Sequence, residues 1–163
     1  MIELDIAIEA DWPQPPDWEA LAVHAAAALA RVAPELANPR LQASVLFADD
    51  AEVHALNAEW RGKDKPTNVL SFPMLEREDL LALPADGPPE LLGDIALALE
   101  TCAREAAEKQ VSLEHHATHL LIHGLLHLAG HDHELGPDEA RAMELLEIKA
   151  LALLGIADPY GDH

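Results

Sequence analysis

Three histidines in the C-terminal third of the chain have the residue type and spacing of metal ligands. His123 and His127 are four residues apart, so on a helix their rings project from one face and can converge on a single ion. Gly130 can adopt the left-handed conformation that ends a helix, after which the chain can bring His133 back to the same point. Three neutral imidazoles with a fourth position left to water are typical of a catalytic zinc site. The sequence therefore predicts one zinc ion per chain, bound by these three histidines.

The full pattern is more specific than its helical pair, because two histidines one turn apart also occur by chance. His-x-x-x-His-x-x-Gly-x-x-His is the spacing of the metzincin zinc site. Zinc peptidases carry a glutamate directly after the first histidine as general base, whereas this chain has Gly124 there. Glycine cannot accept a proton, which argues against peptide hydrolysis. Gly124 leaves two interpretations open: close approach of a large substrate, or tight packing of the helix.

Four further residues near the predicted ligands are candidates for supporting roles. His131 lies two residues before His133 and could compete with it for the metal. Asp132 could orient an imidazole by accepting its second N–H. His116 and His119 continue the histidine stripe towards the start of the helix, where each turn adds about 5 Å. We expect them to be too distant to bind the ion and, at most, to support its ligands.

One basic patch stands out in a strongly acidic chain. Arg61, Lys63 and Lys65 lie together, while the other seven lysines and arginines are scattered and the formal net charge is −20. This charge argues against broad adhesion to nucleic acid or to anionic membranes. A polyanionic substrate would therefore have to bind at this patch, where an arginine can grip a phosphate bidentately. The alternative interpretation is an ordinary solvated loop.

Length and composition predict one soluble domain over residues 1–163, with a flexible tail at 158–163. No apolar run approaches the length that spans a bilayer, and the N-terminus has neither a basic region nor a cleavage site. A single cysteine excludes a disulfide framework. We expect a cytoplasmic protein without a membrane partner.

The elements that must position these residues follow from hydrophobic periodicity and capping signals. The pattern predicts strands at 2–8, 41–47, 69–72 and 94–99, and helices at 18–32, 50–60, 101–109, 113–128 and 137–155. Residues 74–92 are acidic and hold three prolines, and we expect a long, mobile surface loop there. Trp60 shares a helix face with Val53 and is expected to pack inside. Strands early and helices late indicate an α+β fold, a small mixed sheet of about four strands packed with about five helices.

Four segments together resemble the YbeY family of bacterial endoribonucleases, which act in ribosomal RNA maturation. They are NAEWR at 57–61, KPTNVLSFP at 65–73, LGDI at 92–95 and HGLLHLAGHDH at 123–133. The last block is highly specific, whereas the first fifty residues match only in their pattern of strand and helix. His131 departs from the family pattern, where this position often carries tyrosine. Both the metzincin spacing and the family block favour His133 over His131 as the ligand.

The resemblance implies a zinc-dependent endoribonuclease specific for single strands, with zinc on His123, His127 and His133 and an essential Arg61. It also implies roles in 16S ribosomal RNA 3′-end maturation and ribosome quality control, with the small ribosomal subunit as partner. Residues expected to support the ligands or contact substrate are Lys63, Lys65, Asn68, Ser71, Asp94 and Asp132. No spacing argument assigns the general base.

Two other functions stay open at this point. One is a zinc hydrolase with another substrate class, including a peptidase whose base lies elsewhere. The other is a ribosome-associated binding factor with a structural metal. An open site of three histidines speaks against the second, because structural zinc normally has four protein ligands.

Overall fold

A four-stranded mixed sheet forms the centre of the molecule, which is presented here as a computed structural model describing residues 1–9, 11–132 and 136–160. Its strands are β1 (Glu3–Ile8), β2 (Leu41–Ala48), β3 (Val69–Pro73) and β4 (Glu90–Ala98), in the spatial order β1-β2-β4-β3. The pairs β1–β2 and β2–β4 are parallel, and β3 runs antiparallel to β4. The predicted mixed sheet is confirmed.

Six helices surround this sheet in the part of the chain that the structure describes. They are α1 (Trp18–Val32), α2 (Asp50–Arg61), α3 (Arg77–Ala82), α4 (Leu99–Lys109), α5 (Leu113–Leu128) and α6 (Pro137–Leu153). The α+β fold is confirmed, with one helix more than expected. None of these helices is long and apolar enough to cross a membrane.

The two faces of the sheet carry cores of different size, because successive side chains of a strand point to opposite sides. Ile95 and Leu97 of β4 belong to the large core, which contains residues of α1, α5 and α6. Ala96 and Ala98 belong to a small core with Val53 of α2. Helix α5 is therefore enclosed between the sheet and helices α1, α4 and α6, while α2 packs on the opposite face.

The prediction of a loop over 74–92 was wrong, since the segment contains α3 and the start of β4. Arg77 anchors α3: its guanidinium donates to the carbonyl of Ala129 at 2.7 Å and to Glu35 at 3.0 Å. Leu80 is buried in the large core. These partners are far away along the chain, so the local composition gave no sign of them.

Helix α5 begins and ends as the sequence predicts. The Ser112 hydroxyl accepts the amide of His115 at 3.1 Å, which caps the N-terminus. At the other end Gly130 has φ +95°, and the amide of His131 donates to the carbonyl of Leu126. A Cβ at Gly130 would lie 2.6 Å from the Cβ of Arg77. Glycine is thus required both by the backbone conformation and by the neighbouring side chain.

Gly124 lies where α5 meets the sheet. A Cβ at this position would be 3.1 Å from Cδ1 of Ile95 on β4. Of the two interpretations left open by the sequence, the structure supports tight helix packing. A glutamate here, as in zinc peptidases, would be directed at the Ile95 side chain.

Candidate functional site

One cavity of about 700 Å³ brings most of the predicted site residues together. Its walls come mainly from α5, β3, the end of α2 and the loop between α2 and β3. The predicted residues that line it are Arg61, Lys63, Lys65, Asn68, Ser71, His123, His127 and Asp132. Residues that line it without having been predicted to do so include Asn57, Lys109, His119 and Tyr160.

Two of the three predicted metal ligands face each other in this cavity. The Nε2 atoms of His123 and His127 are 3.2 Å apart, with ring centroids separated by 4.7 Å. Two nitrogens bound to one tetrahedral zinc ion at ordinary bond lengths lie about 3.3 Å apart. The pair therefore fits a zinc ion. Its predicted partner His133 lies outside the described residues, and among those described no group of three or more His, Cys, Asp or Glu side chains is arranged to hold a metal.

Glu147 of α6 lies directly behind this pair. Its side chain is 1% exposed, and its Oε2 is 3.2 Å from Nδ1 of His123. Its Oε1 is 2.6 Å from Nε2 of His119 and accepts the Tyr160 hydroxyl at 2.7 Å. A carboxylate behind a histidine ligand is the usual means by which metal sites orient the imidazole.

Glu147 is not among the site residues predicted from the sequence, although its helix carries a signal. The buried positions of α6 are Met143, Glu147, Ala150 and Leu151, which follow the helical spacing of a buried face. A charged residue on such a face is rare unless it is paired. The helical pattern alone reveals that Glu147 is a charged residue on a buried face, but it does not reveal the partners of Glu147 on α5.

The surroundings of Glu147 determine its charge. Burial by itself would raise the pKa of this carboxyl, but hydrogen bonds from His119, His123 and Tyr160 outweigh burial and lower the pKa to about 2. Burial and the hydrogen bond to Glu147 raise the pKa of Tyr160. Glu147 is therefore an ionised acceptor at neutral pH, and Tyr160 is a protonated donor.

His131 lies in a second cavity of about 550 Å³, which shares His127 and Asp132 with the first. Its Nε2 is buried and has no hydrogen-bond partner among the described residues. Burial, followed by the nearby Arg77 cation, lowers its pKa. His131 does not line the main cavity in the described part of the chain, so its predicted competition with His133 gains no support there.

The basic loop is held by the end of α2. Arg61 is the last residue of that helix, and Gly62 follows it in the left-handed conformation at φ 66°. Asn57 is buried; its carbonyl accepts the amide of Lys63 at 3.1 Å, and its side chain donates to the carbonyl of Lys65 at 2.9 Å. Asn57 therefore fixes the backbone that carries both lysines.

The structure adds one cation to the basic side chains of the cavity, which together form its basic wall. Lys109, the last residue of α4, lines the cavity with Arg61, Lys63 and Lys65.

Trp60 is 67% exposed, so the expectation that it packs inside was wrong. Two turns earlier on the same helix face Val53 is fully buried, whereas none of the residues in the described ranges buries Trp60 in the last turn of α2.

Asn68 and Asp94 are held in different ways. The Asn68 side chain donates to Glu105 at 2.9 Å, and Glu105 is also 2.9 Å from Nε2 of the buried His116. His116 thus supports the Asn68 side of the cavity. Asp94 is not among the described lining residues, and its carboxylate accepts the hydroxyl of Ser44 on β2.

Comparisons with known proteins agree with this architecture. The family described as Endoribonuclease YbeY matches residues 10–155. A protein of that name from Erythrobacter litoralis is 63% identical over 99% of both chains, and one from Novosphingobium aromaticivorans is 64% identical over 96% of this chain and 95% of its own. A solution structure from Thermotoga maritima, 23% identical, covers 99% of this chain and 100% of its own with a TM-score of 0.60, which shows a common fold.

Proposed function

The chain belongs to the YbeY family of endoribonucleases, and from this premise we propose that it cleaves single-stranded RNA in the main cavity with the help of one zinc ion. The observation that carries the proposal is the meeting of two surfaces in that cavity. A histidine pair at ligand spacing lies on one side, and Arg61, Lys63, Lys65 and Lys109 line the other. A metal ion and nearby cations can both stabilise the negative charge of a phosphodiester during its hydrolysis.

His123 and His127 would hold the metal, with His133 as the proposed third ligand. When bound, zinc supplies Lewis acidity that activates water and neutralises charge on a phosphoryl oxygen. Glu147 does not serve as the general base in this proposal, because its carboxylate accepts three hydrogen bonds and is 1% exposed. Its part is to hold the histidines.

The basic wall would bind the RNA backbone. Arg61 presents a planar guanidinium that can donate two parallel hydrogen bonds to one phosphate, which a lysine cannot do. Lys63, Lys65 and Lys109 would contact neighbouring phosphates as point charges. With four of the ten lysines and arginines lining one cavity of an acidic chain, the field directs a polyanion to this place.

Preference for single strands would come from Trp60. This indole is 67% exposed and directly precedes Arg61 in the sequence. Exposed aromatic rings beside cations bind single strands by stacking on unpaired bases, which a duplex keeps in its interior.

The more specific parts of the proposal are maturation of the 16S ribosomal RNA 3′ end, ribosome quality control, association with the small subunit and a cytoplasmic location. The resemblance of the four motif segments supports them.

The test combines metal content with cleavage of a labelled single-stranded RNA. The proteins are the wild type, His127→Ala, Arg61→Glu and the control Arg141→Glu, whose site on α6 is exposed and outside the cavity lining. We expect one zinc per chain, loss of metal and cleavage in His127→Ala, and loss of cleavage alone in Arg61→Glu. The control should match the wild type.

Other results would redirect the assignment. Bound metal without RNA cleavage in the wild type would reject the substrate and favour a hydrolase of another class. Unchanged binding of ribosomal subunits by His127→Ala, without metal-dependent cleavage in any protein, would favour the binding factor.

A further inference from the structure

A buried carboxylate is enclosed by hydrogen-bond donors on the far side of His123 from the cavity. Glu147 of α6 receives hydrogen bonds from two histidines of α5 and from Tyr160 near the C-terminus. A buried carboxylate held by hydrogen bonds contributes little to net stability, since apolar packing of equal volume often does as well. The arrangement therefore calls for an explanation beyond the packing of α6 on α5.

The position of Glu147 determines which nitrogen of His123 carries the proton. Oε2 of Glu147 lies 3.2 Å from Nδ1 of His123, and Oε1 accepts the Tyr160 hydroxyl. A carboxylate placed beside the outer nitrogen of a ligand histidine accepts its N–H, so Nδ1 of His123 is the donor. Nε2 is then the nitrogen with the lone pair, and it is the atom that lies 3.2 Å from Nε2 of His127. The carboxylate thus selects the tautomer that a metal ion requires.

The carboxylate is itself fixed by two further groups. His119 lies 2.6 Å from Oε1, the Tyr160 hydroxyl lies 2.7 Å from the same oxygen, and the two donors are 3.1 Å apart. The rings of His119 and Tyr160 also pack edge to face at 5.4 Å. Rotation of the Glu147 carboxylate away from His123 would break these contacts.

We propose that Glu147, held by His119 and Tyr160, is the positioning residue that sets the tautomer and orientation of His123 for the metal. Tyr160 thereby joins the C-terminal segment to the metal site, and α6 is part of the site although it supplies no ligand. This inference rests on the metal site of the proposed function. It assigns Glu147 no contact with RNA.

A purely structural role makes a different prediction. If Glu147 only joined α6 to α5, its replacement would lower the thermal midpoint and leave zinc affinity and the His123 tautomer of the folded protein unchanged. A positioning role predicts changes in both. The deciding measurements are therefore made on the protein without RNA.

Zinc affinity is measured on the full chain by competition with a chromophoric chelator, after removal of metal. The variants are Glu147→Gln, Tyr160→Phe and the control Glu144→Gln, which is three residues earlier on α6 and whose carboxylate lies 4.0 Å from Arg141. We expect Glu147→Gln to weaken zinc binding by about 10- to 100-fold, as the loss of such partners does elsewhere. Tyr160→Phe should weaken it less, and Glu144→Gln should leave it unchanged.

The tautomer is read separately by nitrogen NMR of the metal-free wild type and Glu147→Gln. We expect the Nδ1–H form of His123 in the wild type and a mixture in the variant. Tyr160→Phe keeps its ring and loses only the hydroxyl, so it also tests the idea if Glu147→Gln does not fold.

The outcomes separate this inference from the proposed function. Equal zinc affinity in the wild type, Glu147→Gln and Tyr160→Phe would overturn the positioning role while keeping the metal site. Weakened affinity in a protein that cleaves no RNA would support the positioning role and reject the substrate. A wild type that binds no metal would overturn both.

Discussion

The two walls of the main cavity are built in opposite ways. The histidine wall consists of His119, His123 and His127 on α5 with Glu147 behind them, and its hydrogen bonds are enclosed between helices. The basic wall consists of exposed side chains at helix ends and in a loop, held mainly through backbone contacts to Asn57. The first is organised before any ligand arrives, whereas the second can adapt to one.

Because of this difference, the two walls should respond differently to mutation. A change in a buried network leaves an unsatisfied group behind, so its effect concentrates in one or two residues. Exposed cations act additively and are screened by salt, so their effects are spread over several residues.

The largest effect that we predict on the basic wall is that of Arg61→Lys, which keeps the charge and removes the planar fork. We expect a loss of about 10- to 100-fold in kcat/KM, equivalent to about 1.4–2.7 kcal/mol of transition-state binding. Zinc content should not change, because Arg61 is not one of the proposed ligands. Single-turnover cleavage measures the loss, with Arg141→Lys as control. Wild-type activity in Arg61→Lys would show that charge alone suffices at this position.

Next in size is Trp60→Ala, which removes the exposed indole. Stacking of one base is worth about 1–3 kcal/mol, so we expect single-stranded RNA to bind about 5- to 160-fold more weakly. Binding of duplex RNA should not change, and Trp60→Phe should recover most of the loss. Fluorescence anisotropy of labelled RNA gives both affinities. An equal loss for single-stranded and duplex RNA would reject stacking as the source of strand preference.

A smaller effect concerns salt. If the four cations supply the phosphate contacts, the logarithm of the binding constant should fall with the logarithm of salt concentration at a slope near −0.7 per contact. Lys63→Gln and Lys109→Gln should each reduce the slope by about 0.7, with Lys149→Gln on α6 as control. A much steeper slope in the wild type would mean that another basic surface takes part.

The smallest effect that we predict is on the stability of the protein in acid. It arises beneath the basic wall, where Glu105 is hydrogen-bonded to both His116 and Asn68. Burial is the main reason why the pKa of His116 is lowered. Burial would raise the pKa of Glu105, but hydrogen bonds from His116 and Asn68 outweigh it and the pKa is lowered. Both groups therefore bind protons more readily in the unfolded state, so stability falls as pH falls.

The pH range in which stability is lost follows from the directions of these two pKa shifts. The His116 contribution is complete above about pH 6.5 and is lost below it towards the lowered native pKa; the Glu105 contribution follows below about pH 4.5. Each proton involved adds at most about 1.4 kcal/mol per pH unit. Urea unfolding of the metal-free protein from neutral to mildly acid pH measures this. His116→Gln should flatten the upper part of the curve, and an unchanged curve would contradict the assignment.

Local sequence patterns predicted the four strands, five of the six described helices and the ends of α5. Alternation, helical spacing, the Ser112 cap and the Gly130 stop act over a few residues, so they can be read from the chain directly. The spacing of His123 and His127 belongs to the same class, because one helical turn is enough to bring them together.

The remaining features of the fold and of the site depend on contacts between residues that are distant in the sequence. Glu147 reaches His123, and Lys109 joins the basic loop, only because helices separated in sequence pack side by side. Helix α3 depends on the contacts of Arg77 with Ala129 and Glu35, and Trp60 is exposed because no described residue covers it. Burial and pairing are properties of two segments at once. The sequence therefore determined the chemistry of the proposed ligands, while the tertiary structure alone decided which side chains support them.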